Sequence, residues 1–145
     1  MARFLLFLFL ATIVLSCKKS TKPVVCETTT ASITGSYHLT KYERVIYATG
    51  IPQDMTNTLS ACELNAVYKL NADSTAIYTE NGSCTGSGTG NWRLYNGSSF
   101  VFNFKSGNGM RLNTGMFNSW DCTNLVLMTA YPSTISNDRY TLTRF

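Results

Sequence analysis

The chain has 145 residues, of which 14% are charged and 46 are serine, threonine or asparagine. This length corresponds to one domain, and the low charge excludes coiled coils and charged disordered tails. The net charge is +4, but from Ala31 onward eight basic residues stand against seven acidic ones. The body of the chain is therefore nearly neutral and lacks the basic surface that nucleic-acid binding requires, so no nucleic-acid partner is expected.

The N-terminus has the pattern of a signal peptide. Arg3 precedes an apolar run of twelve residues at positions 4–15. This run is too short to cross a bilayer, because a spanning helix needs about 20 residues. We therefore expect residues 1–16 to be removed during secretion.

The apolar run ends at Val14-Leu15-Ser16-Cys17. This segment resembles the lipobox of bacterial lipoproteins, in which a cysteine after a small residue becomes the lipidated N-terminus; Val14 and Leu15 depart mildly from the commonest residues. The resemblance implies that Cys17 carries several acyl chains, since a single chain anchors a protein only marginally. An ordinary secretory leader is the alternative.

The lipobox also predicts where the protein resides. Residues 17–31 would form the lipidated cysteine and a polar linker, and the membrane would be a partner through the lipid anchor. Lys18 follows Cys17, and the absence of aspartate there resembles the outer-membrane sorting signal of Gram-negative lipoproteins. The expected location is the bacterial cell envelope, at the outer membrane, on either its periplasmic or its surface face.

Four cysteines remain after Cys17, an even number in an oxidising compartment: Cys26, Cys62, Cys84 and Cys122. Three pairings are open to them. Strand-like runs at 65–70 and 75–80 flank the turn-forming residues 71–74, which predicts a hairpin. Extending that hairpin brings Cys62 opposite residue 83 or so, one position from Cys84. This geometry favours Cys62–Cys84 and leaves Cys26–Cys122 by elimination.

Alternation of apolar and polar residues predicts eight short strands and no amphipathic helix of ten residues. The strands contain Tyr37 and Leu39; Tyr68 and Leu70; Thr75 and Ile77; Trp92 and Leu94; Phe100, Phe102 and Phe104; Met110 to Met116; Leu125 to Thr129; and Tyr140 and Leu142. Residues 45–61 are expected to form a long connection with one helical turn. Short turns such as Asn96-Gly97 join neighbouring strands. The pattern predicts an all-β fold, an eight-stranded antiparallel up-and-down barrel, with a β-sandwich as the alternative.

Several motifs resemble those of lipocalin-like barrels. Gly35-Ser36-Tyr37 resembles their Gly-x-Trp opening, with tyrosine in place of tryptophan, and Gly90-Asn91-Trp92 repeats the motif with its tryptophan. Residues 68–75, which follow Cys62, are similar to the Tyr-x-Phe-Asn-x-Asp-Gly-Thr segment of small lipocalin-like lipoproteins, with Ser74 in place of glycine. The resemblance covers residues 33–145 and implies a lipocalin-like barrel over residues 32–145. A fold name does not by itself confer a ligand.

The sequence predicts no catalytic or metal centre. His38 is the only histidine, which excludes a histidine-based metal cluster, and we expect it on the surface or with its hydrogen bonds satisfied. The carboxylates fall mostly at turns, and no nucleophile, phosphate or dinucleotide motif occurs. An enzyme is therefore not expected, nor a cofactor.

Aromatic side chains would line the barrel interior in one phase of the strands. The residues assigned to ligand binding are Tyr37, Tyr68, Trp92, Phe100, Phe102, Phe104, Met110 and Tyr140. In a short barrel the same rings are also large enough to fill the interior. Two functions stay open: an anchored carrier of a small hydrophobic or amphipathic ligand, and a filled barrel that serves as an interaction or structural module and contacts another envelope protein through its loops.

Overall fold

The computed structural model describes residues 25–95, 99–104, 111–112, 114–129 and 135–145. The helices are α1 (Thr30–Ile33), a single 3-10 turn (Thr56–Thr58) and α2 (Ala61–Asn65). The strands are β1 (Gly35–Ile46), β2 (Pro52–Asp54), β3 (Val67–Leu70), β4 (Thr75–Thr79), β5 (Ser87–Tyr95), β6 (Ser99–Phe104), β7 (Thr114–Trp120), β8 (Asn124–Met128) and β9 (Ser136–Arg144). Within these ranges no helix has both the length and the apolar character needed to cross a membrane.

Eight of the strands close into an antiparallel barrel. Their order is β1-β3-β4-β5-β6-β7-β8-β9, and β9 pairs back onto β1. The closing pair is long, running from Tyr37 opposite Arg144 to Ile46 opposite Ser136. Closure pairs every barrel strand on both sides, which removes the edges that an open sheet would expose. The all-β, eight-stranded antiparallel barrel is therefore confirmed over the sandwich.

Both predicted disulfides are present. In the β3–β4 hairpin Tyr68 pairs with Tyr78, so each residue i faces residue 146 − i. The same relation matches Cys62 with Cys84, and these cysteines form a disulfide with 5.8 Å between their Cα atoms. Cys62 reaches Cys84 from α2 rather than from an extension of β3. The second disulfide joins Cys26 to Cys122, whose Cα atoms are 5.5 Å apart.

The connection between β1 and β3 is more ordered than the single helical turn that the sequence suggests. β2 pairs antiparallel with β1, placing Pro52 opposite Val45. This is a ninth strand outside the barrel, and its proline is tolerated because the strand lies at an edge. α2 then begins with a capping box, in which the Ser60 side chain accepts from the Glu63 backbone N–H and the Glu63 carboxylate accepts from the Ser60 backbone N–H.

The segment before β1 is also structured. The linker expected over residues 17–31 ends inside α1, whose own capping box joins Thr29 and Ser32. Ile33, at the end of α1, is fully buried. The helix therefore covers one end of the barrel instead of belonging to a free tether.

The structure shortens one predicted strand and shows which face of another is buried. β7 begins at Thr114 and not at Met110, which lies outside the described residues, and Leu112 is buried ahead of the strand. In β4, Thr75 and Ile77 share a face as predicted, and the structure places that face on the exterior; Ala76 and Tyr78 point into the core. Alternation shows which residues share a face, whereas neighbouring strands decide which face is buried.

The barrel has two distinct ends. The first, here the α1 end, carries α1, the β3–β4 turn and the Cys26–Cys122 disulfide. The opposite end, the α2 end, carries α2, the 3-10 turn and the Cys62–Cys84 disulfide. A single hydrophobic core fills the space between them.

Candidate functional site

The structure brings most of the residues assigned to ligand binding together inside the barrel. Six of the eight are described with their side chains, and each is at most 3% exposed: Tyr37, Tyr68, Trp92, Phe102, Phe104 and Tyr140. Phe100 lies in β6, but its side chain is outside the described part of the structure, as are the whole of Met110 and of Cys17. The assignment of all eight residues to ligand binding stays a prediction, as does the lipidation of Cys17.

The interior rings contact one another across the barrel. Tyr68 on β3 lies edge-to-face with Phe102 and Phe104 on β6, at centroid distances of 6.4 and 6.1 Å. Tyr37 on β1 similarly approaches Trp120 on β7 at 6.3 Å. In the barrel order these strands are three places apart, so the contacts span the interior and are not contacts between paired strands. Such edge-to-face contacts fill the volume that a ligand would need.

Arg144 organises the α1 end of the barrel. Its guanidinium donates to the Tyr37 hydroxyl at 2.8 Å and to the backbone carbonyls of Ser32 and Thr34. It also lies over the rings of Tyr37 and Trp120, 5.3 and 4.8 Å from their centroids. Burial raises the pKa of Tyr37 although Arg144 opposes this effect. Arg144, at the end of β9, therefore ties α1 to β1 and β9, which is a structural role.

An ion pair closes the α2 end. Arg111 Nε donates to Glu63 Oε1 at 2.8 Å, and its guanidinium lies 5.1 Å from the ring centroid of Tyr42. Burial disfavours the charged form of Glu63, but hydrogen bonds from Ser60 and Arg111 outweigh it and lower its pKa. Tyr42 in turn stacks on Tyr140 at 5.0 Å. The α2 end is thus held by an ionised carboxylate and a cation–π contact.

A third group of polar side chains lies beside the Cys62–Cys84 disulfide. Glu80 accepts from the Tyr78 hydroxyl at 2.8 Å and from the Gly86 backbone N–H at 2.9 Å. Burial, first, and then Glu80 raise the pKa of Tyr78 far above its ordinary value. Ligand atoms of Cys62, Glu80 and Cys84 lie within 4.8 Å of one another. The two sulfurs are joined as a disulfide, however, and metal binding requires thiolates.

His38 occupies a structural position. Its Nδ1 lies 2.9 Å from the Ala66 carbonyl oxygen, and its ring stacks on Phe145 at 4.2 Å between centroids. The side chain is half-buried on the outer side of β1. The expectation of a histidine with its hydrogen bonds satisfied agrees with these contacts.

A groove on the outer face of β4, β5 and β6 was not expected from the sequence. It consists of two concave regions of about 400 and 340 Å³ that meet at Asn91. We call it the outer groove. Its polar lining includes Thr75, Thr89, Asn91, Arg93 and Asn103, and Tyr95 lies at one end. Its lining residues include no carboxylate.

The groove is shaped by a close approach of two backbones. Gly90 in β5 faces Phe104 in β6, and a Cβ at Gly90 would collide with the backbone of Asn103 and Phe104. The turn before β4 forms another wall, since Ser74 accepts from the Trp92 backbone N–H at 2.9 Å. The indole of Trp92 points inward and donates to the Asn71 carbonyl at 2.8 Å. The pairing of β5 with β6 and the hydrogen bond from the Ser74 turn therefore position the groove residues.

Sequence reasoning missed Tyr42, which closes the α2 end, because a β-bulge interrupts β1. Strand pairing shifts between Leu39 and Lys41, so the extra residue returns Tyr42 to the inward face that Tyr37 and Leu39 share. Simple alternation from Leu39 would put residue 41 inward. No local signal in the sequence marks the bulge. The ion pair of Glu63 and Arg111 has no local signal either, because the two residues lie 48 positions apart and meet only in the tertiary fold.

Comparison of the chain with protein-family models, with curated proteins and with solved structures finds no match.

Proposed function

We propose that this chain is a lipid-anchored protein of the bacterial envelope whose barrel is a filled scaffold that recognises other molecules through its outer surface. The observation that carries the proposal is the contact of Tyr68 with Phe102 and Phe104 across the interior. A carrier needs an interior volume for its ligand, and pockets that hold small molecules measure about 300–1,000 Å³. In the described part of this barrel, aromatic rings occupy the interior volume that such a ligand would need.

The outer surface offers what the interior does not. The concave regions of the outer groove, about 400 and 340 Å³, lie on the solvent side of β4 to β6. They present hydrogen-bonding side chains such as Asn91 and Asn103, both exposed. Recognition at this surface leaves the packed core undisturbed.

Binding, and not catalysis, is the activity we propose. His38 is engaged by the Ala66 carbonyl and by Phe145. Glu43 and Glu63 are each paired with an arginine. Among the described residues these three groups stabilise the fold through their contacts with protein partners. A catalytic group would instead have to face a substrate.

The proposed anchor at Cys17 gives the barrel an orientation. Cys26 follows Cys17 by nine positions along the chain, and a segment of that length reaches at most about 30 Å. Cys26 is bonded to Cys122 at the α1 end. A lipid on Cys17 would therefore hold the α1 end towards the membrane and leave the α2 end directed away from it.

Two measurements test the proposal on the full-length chain produced in a bacterium. Incorporation of labelled palmitate should depend on Cys17, and the Cys17→Ser variant is the control that should lose it. Native mass spectrometry and titration with an apolar fluorescent probe should show no ligand inside the barrel. A saturable adduct that perturbs Tyr68 and Phe102 would instead favour the carrier of a small hydrophobic ligand and would contradict the filled scaffold.

A further inference from the structure

The outer groove contains side-chain amides that are free to bind a ligand. Asn91 on β5 and Asn103 on β6 are direct partners across the two strands and project from the same face. Neither side chain is hydrogen-bonded to another residue that the structure describes. Each amide supplies both donors and acceptors, so the pair matches a ligand whose groups also do both, as sugar hydroxyls do.

Arg93 gives the groove a positive charge that no carboxylate of the described residues neutralises. It lies on the same outward face two residues after Asn91, and its guanidinium stacks over the ring of Tyr95 at 5.2 Å. Among the described residues no carboxylate pairs with Arg93, and none lines the groove. A guanidinium in this state favours a carboxylate or phosphate on the ligand, which it can bind through two parallel hydrogen bonds.

Apolar surface at the same end completes the site. Val101 lies opposite Arg93 across β5 and β6, and Tyr95 is 46% exposed. A sugar ring has one face of C–H groups that can pack on such side chains, while its hydroxyls reach the amides. The groove thus presents a cation, a pair of amides and an aromatic ring on one exposed face. Together these groups match a sugar that carries an acidic group.

We propose that the outer groove binds a short acidic oligosaccharide. Its carboxylate pairs with Arg93, its hydroxyls bond to Asn91 and Asn103, and a ring face packs against Tyr95 and Val101. This inference deepens the proposed function by naming the class of ligand that the outer surface recognises. It rests on the proposed function only in taking the outer surface as the binding surface. The volume of about 400 Å³ around Arg93 lies within the range of about 300–1,000 Å³ that small-molecule sites occupy.

The test uses the full-length chain as a bacterium processes it, purified in a detergent without sugar groups. The probes are a galacturonate tetrasaccharide and a hyaluronan tetrasaccharide, with maltotetraose as the neutral comparison. Calorimetry measures affinity, and amide chemical shifts locate the site. We expect saturable binding of at least one acidic probe, weakened by added salt, with shifts at Asn91, Arg93 and Asn103.

Matched variants separate the groove from general charge. Arg93→Gln should weaken binding of the acidic probe about tenfold or more, since it removes the charge-assisted hydrogen bonds. Asn103→Ala should weaken both acidic and neutral sugars. Lys69→Gln is the control: Lys69 is an exposed cation on the outer side of neighbouring β3, opposite Ile77, and does not line the groove. It should leave the affinity unchanged.

Three results would overturn the proposal. The first is the absence of saturable shifts with both acidic probes. The second is equal affinity for maltotetraose, which would remove the role of Arg93. The third is an equal loss in Lys69→Gln and Arg93→Gln, which would indicate attraction by overall charge. None of these would affect the filled scaffold, because that is tested by interior binding of an apolar probe.

Discussion

Tyr68 and Phe102 lie on strands that are three places apart in the barrel, yet their ring centroids are 6.4 Å apart in an edge-to-face contact. Phe102 also contacts Phe104 at 4.9 Å, perpendicular to it. The core of the barrel is thus continuous across its width. This contact has direct consequences for stability.

Replacing Phe102 should reveal the filled interior. Phe102→Ala removes a fully buried ring, and we expect the free energy of unfolding to fall by about 3–5 kcal/mol, as for other buried aromatic residues. Val101→Ala is the matched control on the same strand, since Val101 is 40% exposed and should change stability little. Denaturant titration measures both. Similar effects for the two variants would contradict a packed core at Phe102.

Replacing Arg144 with lysine should destabilise the folded chain. The guanidinium bonds to Tyr37, Ser32 and Thr34 from one planar group, which a single ammonium cannot reproduce. We expect Arg144→Lys to lower stability by about 2 kcal/mol, the scale of lost hydrogen bonds that involve a charged group. Thermal unfolding measures this change, with Arg93→Lys on the exposed face as the control. An unchanged Arg144→Lys protein would show that α1 does not depend on this residue.

The ion pair between Glu63 and Arg111 should make stability depend on pH. The pKa of Glu63 is lower in the folded chain than its ordinary value, because hydrogen bonds from Ser60 and Arg111 outweigh the opposing effect of burial. The stabilisation is therefore present above the unfolded pKa, about 4.3 for glutamate, and is lost as the pH falls through the lower folded pKa.

Glu63→Gln tests this dependence. The variant should be less stable than the wild type at pH 7, and the difference should shrink as the pH falls from about 4.3 through the lowered folded pKa of Glu63, where the wild-type carboxyl also becomes protonated. Chemical denaturation across this range measures the difference. Glu27→Gln, which removes an exposed carboxylate, is the control. A constant difference between Glu63→Gln and wild type at all pH values would contradict the assigned ion pair.

Replacing Ser74 with glycine should stabilise the folded chain. Its φ of 69° lies in the left-handed region, which costs a residue with a Cβ roughly 1–2 kcal/mol. We expect Ser74→Gly to raise the free energy of unfolding by about 1 kcal/mol, part of the gain being offset by the greater freedom of glycine in the unfolded chain. Ser87→Gly, in β5, should be destabilising. Calorimetry of the two variants should therefore show melting shifts of opposite sign.

Strand alternation predicted much of the fold because its physical basis is local. Phe102 and Phe104 alternate with exposed Val101 and Asn103 in β6, as expected for a strand with one buried face. Turn residues placed the β3–β4 hairpin, and its extrapolated register correctly matched Cys62 with Cys84, although Cys62 lies in α2 and not in the hairpin. These features depend on neighbours within the same segment, so the sequence predicts them.

Features that depend on the barrel as a whole were not predictable in this way. The bulge that turns Tyr42 inward, the exterior position of Ile77 and the pairing of β2 with β1 follow from how strands meet. The outer groove likewise combines Asn91, on one strand, with Asn103 on the next.

The sequence by itself predicted eight strands, the turn of the β3–β4 hairpin and the Cys62–Cys84 disulfide from short-range alternation and turn chemistry, and it left Cys26–Cys122 by elimination; the predicted Asn96-Gly97 turn lies outside the described residues. Only the tertiary structure decided that aromatic rings meet across the interior and that a polar groove lies outside. Whether inward-facing rings enclose a cavity or fill it depends on distances between strands that are remote in sequence, and such distances are set only when the barrel closes.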